Sequence, residues 1–116
     1  MQRKYRLTRS TDFKRVRHTG KSYAHPLVVL VVKANKKSEI RVGVTAGRSV
    51  GGAVRRNRSK RLLREAMRPM LPDLPTGWDL ILIARSPLPS KSLQEIRDGL
   101  ENLLRRANLY PAPHES

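Results

Sequence analysis

Apolar and polar positions change period several times along the chain, and each change marks an element. Thr11-Asp12-Phe13-Lys14-Arg15-Val16-Arg17-His18 reads as a short helix, with Ser10 or Thr11 as its cap and Gly20 near its end. Pro26 opens Leu27–Val32, a run of six apolar residues, mostly β-branched, typical of a buried strand. Asn35–Ser38 is a polar turn. Ile40–Ala46 alternates and is expected to be the hairpin partner of the preceding run. Gly47–Gly52 is a loop. A basic helix follows from about residue 52 to 68 and stops at Pro69, which has no N–H and disfavours helical backbone before it. Pro72, Pro75 and Gly77 make a connector to Trp78–Ala84, another apolar strand. Pro87 and Pro89 interrupt the chain. Ser90 or Ser92 can then cap a last helix with Leu93, Ile96, Leu100, Leu103 and Leu104 on one face. Residues 1–109 form the domain, and 110–116 read as a frayed tail.

The order is α-β-β-α-β-α, with room for a further short strand near residues 19–25. Strand, helix, strand across 40–84 is a βαβ unit, so a mixed sheet with helices on one face is expected, in one α+β domain of 116 residues without internal repeats.

Charge sharpens this picture. The net charge is +16, and residues 1–68 hold 20 Lys/Arg against 3 Asp/Glu, a balance of +17, while residues 69–116 hold 5 against 6, a balance of −1. Within 55–68 there are seven basic residues and one acid. Leu62, Leu63, Ala66, Met67 and Met70 still keep helical spacing, and Asn57, Arg61, Arg64 and Arg68 form a neighbouring polar stripe with Lys60 beside Arg64. One face can dock on a core while the other presents cations at a fixed pitch. A disordered basic tail lacks that pattern. A polyanion would relieve the self-repulsion, and nucleic acid is the expected one. A membrane surface fits less well, because the basic helix offers no Trp or Phe for an interface, and the longest apolar run is far short of a span.

Most chemistry is excluded. There is no cysteine, hence no disulfide, thiol catalysis or Cys-based zinc site, and no secretory signal is visible, so a cytoplasmic protein is expected. Gly47 and Gly52 have the outer spacing of a phosphate-binding loop, but Ala53 and Val54 stand where Lys and Ser/Thr are required. His18, His25 and His114 have no carboxylate or second histidine at ligand spacing. Asp79 stands beside Trp78 at a strand start, while Glu95, Asp98 and Glu101 read as a solvated helix face. No paired general acid and base is visible, so no catalytic residue is expected in the protein itself. Phe13 sits among Arg9, Lys14, Arg15 and Arg17. It reads either as core or as a stacking platform at the edge of a basic groove. Trp78 reads as packing.

Gly52-Ala53-Val54-Arg55-Arg56-Asn57-Arg58-Ser59-Lys60-Arg61-Leu62-Leu63-Arg64-Glu65 resembles the signature of the bacterial ribonuclease P protein subunit, an Arg-Asn-Arg core followed by a basic helix. Arg6-Leu7 with Asp12-Phe13, Arg41-Val42-Gly43, and Asp79-Leu80-Ile81-Leu82-Ile83-Ala84-Arg85 resemble further family segments in the right order, together spanning roughly residues 5–106. The resemblance implies a small single-domain α/β sandwich with a left-handed βαβ crossover at the basic helix, although the general rule favours the right-handed form. It also implies a subunit of the ribonucleoprotein that removes the 5′ leader of precursor tRNA. The partners would be ribonuclease P RNA and precursor tRNA, with no protein partner. Mg²⁺ would be held by the RNA, and no cofactor by the protein alone.

On that resemblance Arg55, Arg56, Asn57, Arg58, Lys60, Arg61, Arg64 and Arg68 would face the catalytic RNA, where arginine supplies a planar fork of donors for phosphate. Asn57 fits a helix cap equally well. Arg9, Phe13, Arg17, Thr45 and Arg48 would line a groove between the first helix and the sheet, where the leader lies. Relatives often place further aromatics there. Here Arg17 and Val31 take those positions, which implies weaker stacking and heavier phosphate contact. Charge and the βαβ pattern alone would also fit a ribosomal or RNA-chaperone protein with no role in cleavage. A stand-alone metal-dependent nuclease would have to cut without an RNA subunit.

Overall fold

Four β-rich stretches pair into one sheet in the computed structural model, which describes residues 5–7 and 9–110. They are β1 (Lys21–Ala24), β2 (Val28–Ala34), β3 (Ile40–Ala46) and β4 (Trp78–Ala84), in the spatial order β1-β2-β4-β3. β1 fills the room noted near residues 19–25. It is β1, not β3, that forms the hairpin with β2: Lys21 faces Val32, Ala24 faces Val29, and His25 and Val28 exchange backbone bonds of 3.0 and 3.3 Å. β4 lies between β2 and β3, antiparallel to β2 and parallel to β3. The expected hairpin between the 27–32 run and 40–46 is therefore absent, and burial explains why. Asp79 through Leu82 are buried in succession, so β4 needs a neighbour on each edge, whereas alternation in β3 reports a half-covered face and says nothing about which strand pairs with it. The outer edge of β3 is met by the chain start, where Leu7 N–H donates to the Val42 carbonyl at 2.9 Å.

Helices cover both faces of the sheet rather than one. α1 (Ser10–Thr19) packs Val16 and Phe13 on Val29, Val31, Ile81 and Ile83. On the other face α2 (Ala53–Met67) and α3 (Leu93–Arg106) pack Leu63, Met67, Ile96, Leu100 and Leu103 on Val28, Leu30, Val42, Leu80 and Leu82. β2 and β4 are apolar at odd and even positions alike, and a strand of that kind has to be covered twice.

Local signals set the helix ends. Ser92 accepts the Glu95 N–H and the Glu95 carboxylate accepts the Ser92 N–H, both at 3.1 Å, a reciprocal cap that starts α3. Neither Ser10 nor Thr11 caps α1: Arg9 occupies that place without a side-chain bond. α2 ends at Met67 and tightens into a 3₁₀ turn, Arg68–Asp73, through Pro69. Leu109 is buried, and Tyr110, which the sequence assigns to the tail, packs against the core. Residues 111–116 lie outside the described residues. No helix among the described residues is long and apolar enough to cross a membrane.

Candidate nucleic-acid interface

α2 buries Ser59, Leu63, Ala66 and Met67. The Ser59 hydroxyl donates to the Arg55 carbonyl at 2.9 Å, which lets a polar residue sit on the core side. Arg56, Lys60 and Arg64 recur every four residues along one flank of that stripe and are half-buried, while Asn57, Arg61 and Arg68 stand further out and are exposed. The cationic stripe expected from the sequence is thus present, extended by Arg56. Asn57 is no cap, because Gly52 holds that place and Asn57 lies a turn inside the helix.

Two of the expected residues leave this flank. Arg55 folds back over Gly51 and its Nε donates to the Val50 carbonyl at 2.9 Å. Arg58 lies roughly 200° around the helix from Arg56. Its Nε donates to the Pro89 carbonyl at 3.0 Å and ties α2 to the Leu88–Ser90 turn.

The flank is electrostatically unfinished. Among the described residues the only ion pair made by α2 is Arg68 with Glu65. The Nε atoms of Arg56 and Arg64 are shielded from solvent and find no hydrogen-bond partner among the described residues. Burial first, and then the charge of Arg6, pull the Arg64 guanidinium below its ordinary value. It remains a cation, held in a place that favours an incoming anion.

The second surface lies along α1. Arg9, Phe13 and Arg17 are four residues apart and form one stripe, and the Arg9 carbonyl accepts the Phe13 N–H at 2.9 Å. The Phe13 ring rests on Gly43 of β3, where an added Cβ would come within 2.6 Å of Cε2. Beside it Ala24, Val29, Ile83 and Thr45 are register partners in one row across the four strands. Val29, Ile83 and Thr45 are half-exposed, which makes a largely apolar shelf next to α1. Arg9 and Arg17 are exposed above it, and Arg48 is exposed in the Arg48–Val50 turn just past β3. Among the described residues no acid pairs with any of these three. Four of the five groove residues expected from the sequence therefore frame one shelf, with Arg48 beyond its end. Phe13 is both core and surface, for it closes the small apolar cluster and keeps part of its ring open. Val31 is only 2% exposed beneath α1, so of the two departures from the family pattern only Arg17 meets solvent.

Beneath the far side of α1 lies a cluster that the sequence did not reveal. Asp79 is fully buried. Its carboxylate accepts Arg41 Nε and Nη2 at 2.8 Å each, Asn35 Nδ2 at 2.9 Å and Arg15 Nη2 at 3.2 Å, while Arg41 Nη1 donates to Asp12 at 3.2 Å. Burial pushes the Asp79 carboxyl up, but the bonds from Arg41 and Asn35, the Arg41 charge and the Arg15 bond more than offset it and hold the group below its usual range. The Asp79 bond in turn raises Arg41, against burial. One signal was available: an aspartate inside an apolar strand needs partners. Those partners lie 38, 44 and 64 residues away, and no local pattern identifies them.

No set of three metal-ligating side chains occurs among the described residues. His25 is used locally, with Nδ1 accepting the Leu27 N–H at 3.1 Å, His18 is exposed, and His114 lies outside the described residues.

A family model described as Ribonuclease P matches residues 1–108. The chain is 40% identical over 114 residues to the Ribonuclease P protein component of Chloroflexus aurantiacus, covering 97% of this chain and 84% of that one. It is 39% identical over 110 residues to the component of the same name from Herpetosiphon aurantiacus, covering 95% and 89%. Among solved structures, the RNase P protein of Staphylococcus aureus superimposes with a TM-score of 0.81 at 31% identity, covering 91% of this chain and 97% of that one. The RNase P protein of Thermotoga maritima does so with a TM-score of 0.77 at 32% identity, covering 87% and 96%.

Proposed function

Because the chain belongs to the ribonuclease P protein family, and so is the protein subunit that works with ribonuclease P RNA in the ribonucleoprotein that processes tRNA 5′ ends, we propose that α2 meets that RNA and that the groove beside α1 holds the 5′ leader of precursor tRNA. The observation that carries this reading is the presence of two cationic surfaces of different make. The α2 flank offers guanidinium groups of which only Arg68 is paired with an acid among the described residues, suited to the phosphates of a folded RNA. The α1 groove adds an apolar shelf and an aromatic edge, suited to the bases of a single strand.

In this reading Arg56, Lys60, Arg61 and Arg64, with Asn57 and Arg68, seat the protein on the catalytic RNA, and the exposed Arg58, of which Nε alone is tied to Pro89, reaches the same RNA from the next face of the helix. Arg9, Arg17 and Arg48 neutralise leader phosphates, while Phe13 stacks on a base over the Val29–Ile83 shelf. Seating the protein first makes the leader contact effectively intramolecular. Only the precursor carries a leader, so the groove favours substrate over product. In this reading the Mg²⁺ ions of cleavage are held by the RNA. The same reading places the protein in the cytoplasm, with its RNA partners.

Phe13→Ala tests the groove. Precursor-tRNA affinity of the assembled enzyme is expected to fall by about 1 kcal/mol or more, the worth of a stacked base, with mature tRNA bound as before. Equal loss for both tRNAs would remove Phe13 from leader recognition. Arg58→Ala, measured by direct titration of ribonuclease P RNA, is expected to weaken binding by about 1–3 kcal/mol. It should also lower the melting temperature slightly, because the bond to Pro89 goes with it. Unchanged RNA affinity with a lowered melting temperature would leave Arg58 a purely structural tie.

A further inference from the structure

We infer that Asp12 and Arg41, anchored on the buried carboxylate of Asp79, are positioning residues that set the rotation of α1 and so the placement of Phe13 and Arg17 over the groove. This rests on the reading of that groove as the leader site. α1 meets the sheet through two kinds of contact. Val16 and Phe13 pack on Val31, Ile81 and Gly43, and apolar packing of this kind is non-directional, so it fixes distance better than rotation. The polar contact is directional. Arg41 and Asp79 are direct register partners on adjacent parallel strands, and two bonds of 2.8 Å lock the guanidinium plane to the sheet. That leaves Nη1 aimed up at Asp12 at 3.2 Å, while Arg15, one turn further along α1, reaches the same Asp79 carboxylate.

Asp12 and Phe13 are consecutive on α1, and their side chains diverge by about 100° around the helix axis. One turns to the ion cluster and the other to the groove, so a change in how Asp12 is held turns Phe13. The Asp79 side chain is fully buried and that of Arg41 is 11% exposed, so both act through α1 rather than by touching RNA.

Charge and positioning give opposite signs at Asp12. Its carboxylate stands near a surface meant for phosphates, so if only charge mattered, removing it would tighten RNA binding. If it positions α1, removing it loosens leader binding. Asp12→Ala abolishes both the charge and the acceptor for Arg41. Asp12→Asn abolishes the charge and keeps an acceptor. Asp79→Ala is unsuitable here because it threatens the fold itself.

The experiment uses enzyme assembled from the full chain and ribonuclease P RNA. It compares dissociation constants for precursor and mature tRNA, and the protein's melting temperature, across wild type, Asp12→Ala, Asp12→Asn, Phe13→Ala and the double variant Asp12→Ala/Phe13→Ala. Asp12→Ala is expected to weaken precursor binding about threefold or more, to leave mature tRNA unchanged, and to add little to Phe13→Ala. Asp12→Asn should restore wild-type affinity or exceed it. Precursor binding by Asp12→Ala that is unchanged or tighter overturns the inference, as does equal weakening for both tRNAs. If Phe13→Ala itself fails to separate precursor from mature tRNA, the groove reading falls and takes the inference with it. If Phe13→Ala separates them and Asp12→Ala does not, only the inference falls.

Discussion

Asp79→Ala is expected to destabilise the protein by about 3–5 kcal/mol, because it leaves the Arg41 guanidinium mostly buried with its principal partner gone. A domain of this size has about 5–15 kcal/mol in total, so the variant should unfold at a markedly lower denaturant concentration, or be only partly folded at 37 °C. Urea titration followed by circular dichroism reads the effect directly. A midpoint near wild type would mean that Asp12, Glu39 and water satisfy Arg41 as well as the buried carboxylate does. The same group gives a pH signature. Its folded value lies below the ordinary 3.8, so its contribution is complete above that value and is lost as pH falls through the folded one. Wild-type stability should therefore decline below about pH 4. Asp79→Ala should lack that part of the decline.

The double variant Arg61→Ala/Arg64→Ala is expected to weaken binding to ribonuclease P RNA by about 2–5 kcal/mol, the worth of two charge-assisted contacts with some non-additivity. Its slope of log affinity against log salt should fall by about 1.4–1.8, since each lost phosphate contact removes about 0.7–0.9. Arg105→Ala provides the contrast. Arg105 is exposed on α3 and already paired with Glu101, so its loss should change neither affinity nor slope. Equal effects of the two variants would reduce the α2 flank to one part of a general positive field.

Features encoded within a turn or two of chain were legible in the sequence. The α3 stripe and its Ser92–Glu95 cap are local, and so are the apolar stripe of α2 and the spacing by four of Arg9, Phe13 and Arg17. Features that depend on strand register were not. The alternation of 40–46 marks a strand without naming its neighbour, and β2 pairs with β1 and β4 rather than with that strand. The row Ala24–Val29–Ile83–Thr45, which floors the groove, exists only because β4 inserts between β2 and β3. The resemblance sets Arg58 beside Arg56 in one signature, and only the folded chain shows that its Nε is tied to the Pro89 carbonyl. Asp79 offered a local hint and no local answer.

Reconstitution tests the subunit role most directly. Precursor tRNA and a bacterial ribonuclease P RNA are combined at low Mg²⁺, with and without this protein, and the 5′ junction is mapped. Cleavage at that junction only when protein and RNA are both present is the expected result. An unchanged rate on adding the protein, or cleavage by the protein alone, would contradict it.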